Sequence, residues 1–214
     1  SNLYDLKICV IDKEHDVAIH ASTRNSGVIH YPFYINSKLK KNFARAAFLS
    51  HGMWKVLAAK NKIPWVQGGT IEIALDESQH KTLEKYMNWG KENGLTEEEI
   101  SILDHDQVKQ KEPNVDCYSG LYCTKEGSTN YGLLTHAVKE LSKNNGVDFL
   151  FKRNVNNIIE SSNQNEIIFS DKSSLTTKFI INCSGGNSLD IAKKFGLLEG
   201  YSDLHFRGEY WVAD

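Results

Sequence analysis

No uninterrupted apolar run in the 214 residues approaches the roughly 20 that a membrane-spanning helix needs, so the expectation is a soluble protein whose contact with a membrane, where it has one, is peripheral. Charge of one sign is missing too. The 25 Lys and Arg face 27 Asp and Glu, a net −2, which excludes a phosphate-tracking surface over the whole molecule and leaves no nucleic-acid partner. The four cysteines, Cys9, Cys117, Cys123 and Cys183, form no C-x-x-C pair, and no charged-then-apolar leader opens the chain. A reduced, cytoplasmic protein is the simplest reading.

Other absences narrow the chemistry. None of the 15 glycines forms G-x-G-x-x-G, none of the eight histidines forms H-E-x-x-H, and no G-x-S-x-G elbow is present. No metal ligands are therefore expected, and hydrolase chemistry is set aside. With three prolines and no repeat or low-complexity linker, a second domain must be woven in rather than appended. What is there is ordinary globular composition, 40% hydrophobic and 24% charged, which excludes disorder and collagen-like repeats.

Along the chain, Leu6–Ile11 reads as a buried strand closed by the polar run from Asp12 to Asp16. Residues 38–61 carry apolar side chains at Leu39, Phe43, Ala46, Ala47, Leu49, Met53, Trp54, Leu57 and Ala58, a helical stripe. Residues 65–75 read as a strand with a break at Gly68-Gly69, and 79–91 as a charged surface helix. The polar stretch 96–113 suggests short helices and turns, with Glu97, Glu98 and Glu99 at a solvated helix start. Strands are expected over 120–123, 148–151, 155–160, 166–170 and 177–182, and a helix over 131–143. This order gives an α/β protein. A strand at the very start, an apolar finish at Tyr210–Ala213, and Ser1-Asn2 resembling a cloning scar all suggest a piece of something longer.

Four segments can carry chemistry, each with a plainer alternative. Asp12 ends a strand, where an acid can bond ribose hydroxyls or simply meet solvent. The run from His20 to His30 is dense in hydroxyl, amide and cationic groups around Gly27; it can face a pyrophosphate or a flavin ring, or form a polar turn. Phe179 to Ala192 is an apolar strand entering a Gly185-Gly186 turn and a helix, either an anion-facing turn or a plain connection. Arg207, in Phe206-Arg207-Gly208-Glu209-Tyr210, offers a fork for a carboxylate or an ordinary ion pair.

Taken in order, these segments resemble the FAD-dependent oxidoreductases of the D-amino-acid oxidase superfamily, and within it the L-2-hydroxyglutarate oxidase or dehydrogenase branch, with glycerol-3-phosphate dehydrogenase next. Val10-Ile11-Asp12-Lys13-Glu14 is similar to the family's second strand with its ribose acid. Arg24-Asn25-Ser26-Gly27-Val28-Ile29-His30 is similar to the flavin loop, Glu126 to Gly132 to the segment before the returning helix, Lys152-Arg153-Asn154-Val155 to the adenine-side strand, and Cys183-Ser184-Gly185-Gly186 to the second flavin-side turn. The chain differs from the family in Tyr31-Pro32 after the loop histidine, in Asn130, and in having neither the glycine-rich turn nor the C-terminal part.

The resemblance implies an α/β fold in which a partial Rossmann-like FAD-binding domain is interwoven with a mixed-sheet substrate domain. It divides the chain into a partial FAD-binding segment with the long helix (1–75), a substrate or cap segment (76–130), a return to the FAD-binding domain (131–204) and the start of a second substrate segment (205–214). It implies FAD as cofactor and oxidation of a small 2-hydroxy acid to the 2-oxo acid, with His30 as base and Arg207 on the substrate carboxylate. Asp12 is expected on ribose, Lys13 and Val155 at adenine, Ser22, Arg24, Asn25 and Ser26 around the pyrophosphate and ring, Val28 under the ring, and Ser184 and Gly185 at the second turn. Oxidation of glycerol 3-phosphate or an amine is the alternative reaction, and a non-catalytic fragment the alternative outside enzymes. Electron acceptor, membrane contact and homo-oligomerisation stay open.

Overall fold

The computed structural model describes residues 6–206, 208 and 209. The chain divides into two compact units, Ser1–Ile19 with Val138–Asp214, and His20–Ala137. The first is discontinuous in sequence, and the second is inserted in it.

In the discontinuous unit, β1 (Cys9–Ile11) pairs in parallel with β8 (Asp148–Leu150), with Val10 opposite Phe149. A parallel pair needs a long crossover and not a hairpin, and residues 12–147 supply it. The backbone bonds run past the ladder: Asp12 donates to the Leu150 carbonyl at 3.0 Å and Arg153 to the Asp12 carbonyl at 2.9 Å. An antiparallel meander follows, β9 (Val155–Glu160), β10 (Asn165–Phe169) and β11 (Ser174–Thr177), with β10 central. Its alternation buries Ile158 against Ile167 on one face, with Phe169 buried beside them. Lys139 bonds Asp16 at 2.7 Å, tying the end of α4 (Tyr131–Asn144) to the turn after β1.

The inserted unit holds two three-stranded antiparallel sheets. One has β7 (Gly127–Thr129) between β2 (Val28–Ile29) and β3 (Trp65–Val66). The other has β6 (Ser119–Cys123) between β4 (Thr70–Ala74) and β5 (Ile100–Asp104). Helix α2 (Glu77–Glu92) covers the second sheet; Asp76 caps it by accepting the Gln79 N–H at 2.8 Å. Helix α3 (His105–Lys111) starts in a capping box of Asp104 and Gln107. The main core gathers Tyr31, Phe33, Ala74, Leu83, Leu95, Ile100, Leu121 and Cys123; each fully buried aliphatic such as Leu121 contributes roughly 1.5–3 kcal/mol. Burial pushes the Cys123 thiol up to about 11.

Most expected elements are present, and the departures have physical causes. Contrary to expectation, no strand forms over 178–182; β11 lies before it and ends at Thr177, and Phe179 and Ile181 lie outside any ladder of the described residues and are exposed. The stretch 96–113 contains β5, whose Ile100 and Leu103 are buried beside the central strand β6, so tertiary pairing overrides a polar local sequence. Glu97–Glu99 form a turn, not a helix start, because the Glu99 carboxylate accepts the Thr96 N–H at 2.9 Å and pairs with Lys125. Helix α1 (Lys41–Lys60) buries Ala44, His51 and Ala58, seven residues apart, and leaves Phe43, Leu49, Met53 and Val56 exposed. The buried seam thus runs through two alanines and a histidine ring, and not through the largest apolar side chains.

Two sites read directly on stability. A Cβ on Gly127 would sit 2.2 Å from the Val66 carbonyl oxygen, whereas one on Gly52, inside α1, would meet nothing within 4 Å. Gly127→Ala should cost about 1–3 kcal/mol and Gly52→Ala should add about 0.5–1 kcal/mol, both checked by urea unfolding. His51 is buried edge-on to Tyr31 and Trp65, its Nε2 has no hydrogen-bond partner, and burial holds its pKa below 6.5. The unfolded chain therefore takes the proton first, so stability falls as pH drops below about 6.5 toward the lowered value. His51→Phe should flatten that acid-side fall in urea midpoints.

Candidate functional site

The loop from His20 to His30 is shaped by its own side chains. After a 3₁₀ turn at Ala21–Thr23, the Asn25 amide donates to the carbonyls of Ala21 (3.0 Å) and Ser22 (3.1 Å), and its oxygen accepts the Gly27 N–H at 2.9 Å. Gly27 has φ +72, and a Cβ there would meet the Thr129 carbonyl oxygen at 2.9 Å, so this bend against β7 requires glycine. Ser22, Arg24 and Ser26 are left exposed, and Val28 is half-buried with its carbonyl accepting from Tyr131 Oη at 3.2 Å.

The chain then enters β2 and delivers His30 at its end. His30 Nδ1 lies 3.2 Å from Glu126 Oε1, and the ring stands edge-on to Tyr34 at 5.5 Å. Glu126 immediately precedes β7 and is 1% exposed, yet each of its oxygens is bonded. Oε1 also accepts the Tyr31 N–H at 2.7 Å, and Oε2 accepts the Thr70 hydroxyl at 2.5 Å. A buried carboxylate survives only with such donors.

This pair sets the local electrostatics. The hydrogen bond to Glu126 raises the His30 pKa above 6.5, with burial opposing it. Burial raises the Glu72 carboxyl, nearby Glu126 adds to the rise, and His30 partly offsets it. The arrangement can hold one proton between Glu126 and His30 Nδ1 while the half-exposed ring presents Nε2 away from the carboxylate.

The structure brings Ser22, Arg24, Asn25, Ser26, Val28 and His30 into one loop and strand. In the discontinuous unit, Asp12 ends β1 with one oxygen on the Glu14 N–H at 3.0 Å, and the bond from Arg153 sets Asp12 and the exposed Lys13 beside the start of β9, where Val155 lies. Ser184 and Gly185 form an exposed turn before α5 (Ser188–Lys193), with Ser184 Oγ on Asn182 at 2.6 Å. Gly185 has φ +57 and open space around it. Arg207 lies outside the described residues. Sequence reasoning missed Glu126, Thr70 and Glu72; the available signal was the period-two spacing of Thr70 and Glu72, which puts both on one sheet face, and a lone acid between a buried strand and a glycine. Among the described residues no group of three or more His, Cys, Asp or Glu is placed to hold a metal, and no helix is long and apolar enough to cross a membrane.

A parallel strand followed directly by a carboxylate, within a discontinuous unit that receives an antiparallel insertion, makes this an α/β protein with the local setting in which a dinucleotide-binding fold places its ribose acid. The profile of the FAD dependent oxidoreductase family matches residues 2–214, and the chain belongs to that family. It is 26% identical over 208 residues to an L-2-hydroxyglutarate dehydrogenase of Escherichia coli K12, covering 97% of this chain and 48% of that protein. It is 28% identical over 216 residues to a glycerol 3-phosphate dehydrogenase of Caloramator mitchellensis, covering 99% and 43%. The chain thus spans about half the length of the curated relatives it matches. An FAD-bound L-alpha-glycerophosphate oxidase from Mycoplasma pneumoniae shares the fold with a TM-score of 0.77 at 23% identity, over 89% of this chain and 50% of that one.

The donor sets fit FAD unit by unit. A strand-ending carboxylate suits ribose hydroxyls, exposed Ser22, Arg24 and Ser26 suit a pyrophosphate, and the open Gly185 turn lets backbone amides approach a ring oxygen.

Because the fold raises the His30 pKa, the imidazolium's contribution to stability is full below about pH 6.5 and fades as pH rises through the raised value. His30→Asn should therefore lower the urea midpoint more at about pH 5.5 than at about pH 8.5. Equal losses at both would show that the pair does not form.

Proposed function

We propose that this chain carries the flavin loop and proton-accepting part of an FAD-dependent dehydrogenase or oxidase that converts a small, L-2-hydroxyglutarate-like 2-hydroxy acid to its 2-oxo acid. The observation that carries the reading is His30, half-exposed at the end of the flavin-type loop with Nδ1 on a buried carboxylate. The family membership and the relatives named for L-2-hydroxyglutarate support it.

FAD, when bound, supplies the hydride acceptor. Within the discontinuous unit, Asp12 holds the ribose, Lys13 and Val155 border adenine, and Ser184 and Gly185 offer the second turn. Within the inserted unit, Ser22, Arg24 and Ser26 serve the pyrophosphate and ring, Val28 lies beneath the ring, and Asn25 acts by shaping the loop, since its amide is already bonded to it. His30 takes the hydroxyl proton at Nε2 as the carbon-bound hydrogen leaves, and Arg207 pairs with the substrate carboxylate. Glycerol 3-phosphate is the second reading, favoured by the Caloramator relative; a phosphate would then take the place of the carboxylate.

The test begins with visible spectra of the purified chain with and without FAD, followed in the holoenzyme by bleaching of the flavin band with 2-hydroxy acids and glycerol 3-phosphate. L-2-hydroxyglutarate should bleach fastest, and a preference for glycerol 3-phosphate selects the second reading. His30→Asn should slow flavin reduction about 10²- to 10⁴-fold, and Arg207→Met should raise the substrate KM. An undiminished reduction rate in the His30 variant removes the assigned base.

A further inference from the structure

We infer that Glu126 is a positioning residue for His30, a buried carboxylate that fixes the proton on Nδ1 and so makes Nε2 the basic atom presented to substrate. The inference rests on the reading of His30 as the base and adds a residue to it.

The geometry leaves Glu126 little freedom. Oε1 is shared by the Tyr31 N–H (2.7 Å) and His30 Nδ1 (3.2 Å), and Oε2 is taken by the Thr70 hydroxyl (2.5 Å). Its own carbonyl accepts the Gly69 N–H at 2.9 Å. The next residue, Gly127, is wedged where any side chain would strike the Val66 carbonyl. The carboxylate therefore approaches the ring from a frame built of β2, β4 and β7. Because the backbone donor at Tyr31 demands an acceptor at Oε1, the shared oxygen faces the ring as an acceptor, and only an Nδ1–H can satisfy it. The lone pair of the neutral ring is then on Nε2.

The charged and titratable groups facing the ring are Glu126 from before β7, Glu72 from β4, and Tyr34 from the turn after β2. Both acids favour the protonated ring, and Glu126 acts through a direct bond. With bound FAD supplying the hydride acceptor, Nε2 would take the proton of the substrate hydroxyl as the C–H bond broke, its electron pair leaving as hydride, and C=O formed. The imidazolium that results lies against a carboxylate already in place.

Long-range ¹H–¹⁵N spectra of the labelled chain read this directly. The neutral His30 ring should be protonated at Nδ1, and its pKa should fall on Glu126→Gln, an isostere that keeps an acceptor for Tyr31 but drops the charge. A neutral ring protonated at Nε2 in the wild-type chain overturns the inference even if the variant fails to fold, as does an unchanged titration in a folded variant. In the holoenzyme, Glu126→Gln should lower kcat at least about 10-fold, shift the acid limb of the rate profile downward and leave KM within about 2-fold. An unmoved acid limb counts against Glu126. Failure of the base assignment itself is seen separately, as undiminished flavin reduction in His30→Asn whatever the spectra of Glu126 show.

Discussion

Glu126 is a carboxylate with almost no exposed surface, and such a group is tolerable only where the surrounding chain brings donors to it. The donors come from two places distant from it in sequence: the His30 ring and the Tyr31 backbone N–H at the end of β2, and the Thr70 hydroxyl at the head of β4. Meeting that demand fixes the relation of the flavin-type loop to both antiparallel sheets of the inserted unit. Removing the acid would take the acceptor from the buried Tyr31 N–H and the part-buried Thr70 hydroxyl; removing one donor would leave the buried charge less compensated. The candidate base is thus set by the same interaction that holds its sheets together.

Two glycines serve that arrangement. Gly27 turns the loop with a left-handed backbone against β7, and Gly127 lets β7 lie against the end of β3. Between them they bring the strand that follows Glu126 beside the strand that delivers His30, with Val28 opposite Ser128 and Ile29 opposite Gly127. The register matters because a shift of one residue would turn every side chain to the other face. In the discontinuous unit a different device sets Asp12 at its post: parallel pairing with β8 and a backbone bond from Arg153, which together present the carboxylate at the end of β1.

Local sequence was informative where one segment carries its own signal. The first two strands of the meander, β9 and β10, show alternation and turn residues, and the charged helix α2 lies within about two residues of its expected bounds. It misled where a partner decides the outcome. Nothing local marks Ser101 or Asp104 as strand residues; β5 exists because β6 offers a ladder and a place to bury Ile100 and Leu103. Phe179-Ile180-Ile181 is an apolar run of the kind strands carry, but the described residues give it no neighbouring strand, and an apolar run without a ladder does not make a sheet. Likewise the acid run at Glu97–Glu99 follows the backbone bond of Glu99 and its Lys125 partner, not the helix dipole.

By itself the sequence determined the α/β class, the helix of residues 41–60 within about three residues, the polar loop closing on His30, and the order of motifs that marks an FAD-dependent oxidoreductase. These are properties of contiguous residues: periodicity, glycine placement and capping act over a few positions along one segment. Tertiary structure alone decided which carboxylate meets His30, which face of α1 is buried, and where strands without local signal form. Those outcomes depend on partners outside the local segment, from Ile100 opposite Cys123 in the β5–β6 ladder to Glu126 and His30, 96 apart. Burial, and with it the demand that a charge be matched by donors, exists only once such distant segments have met.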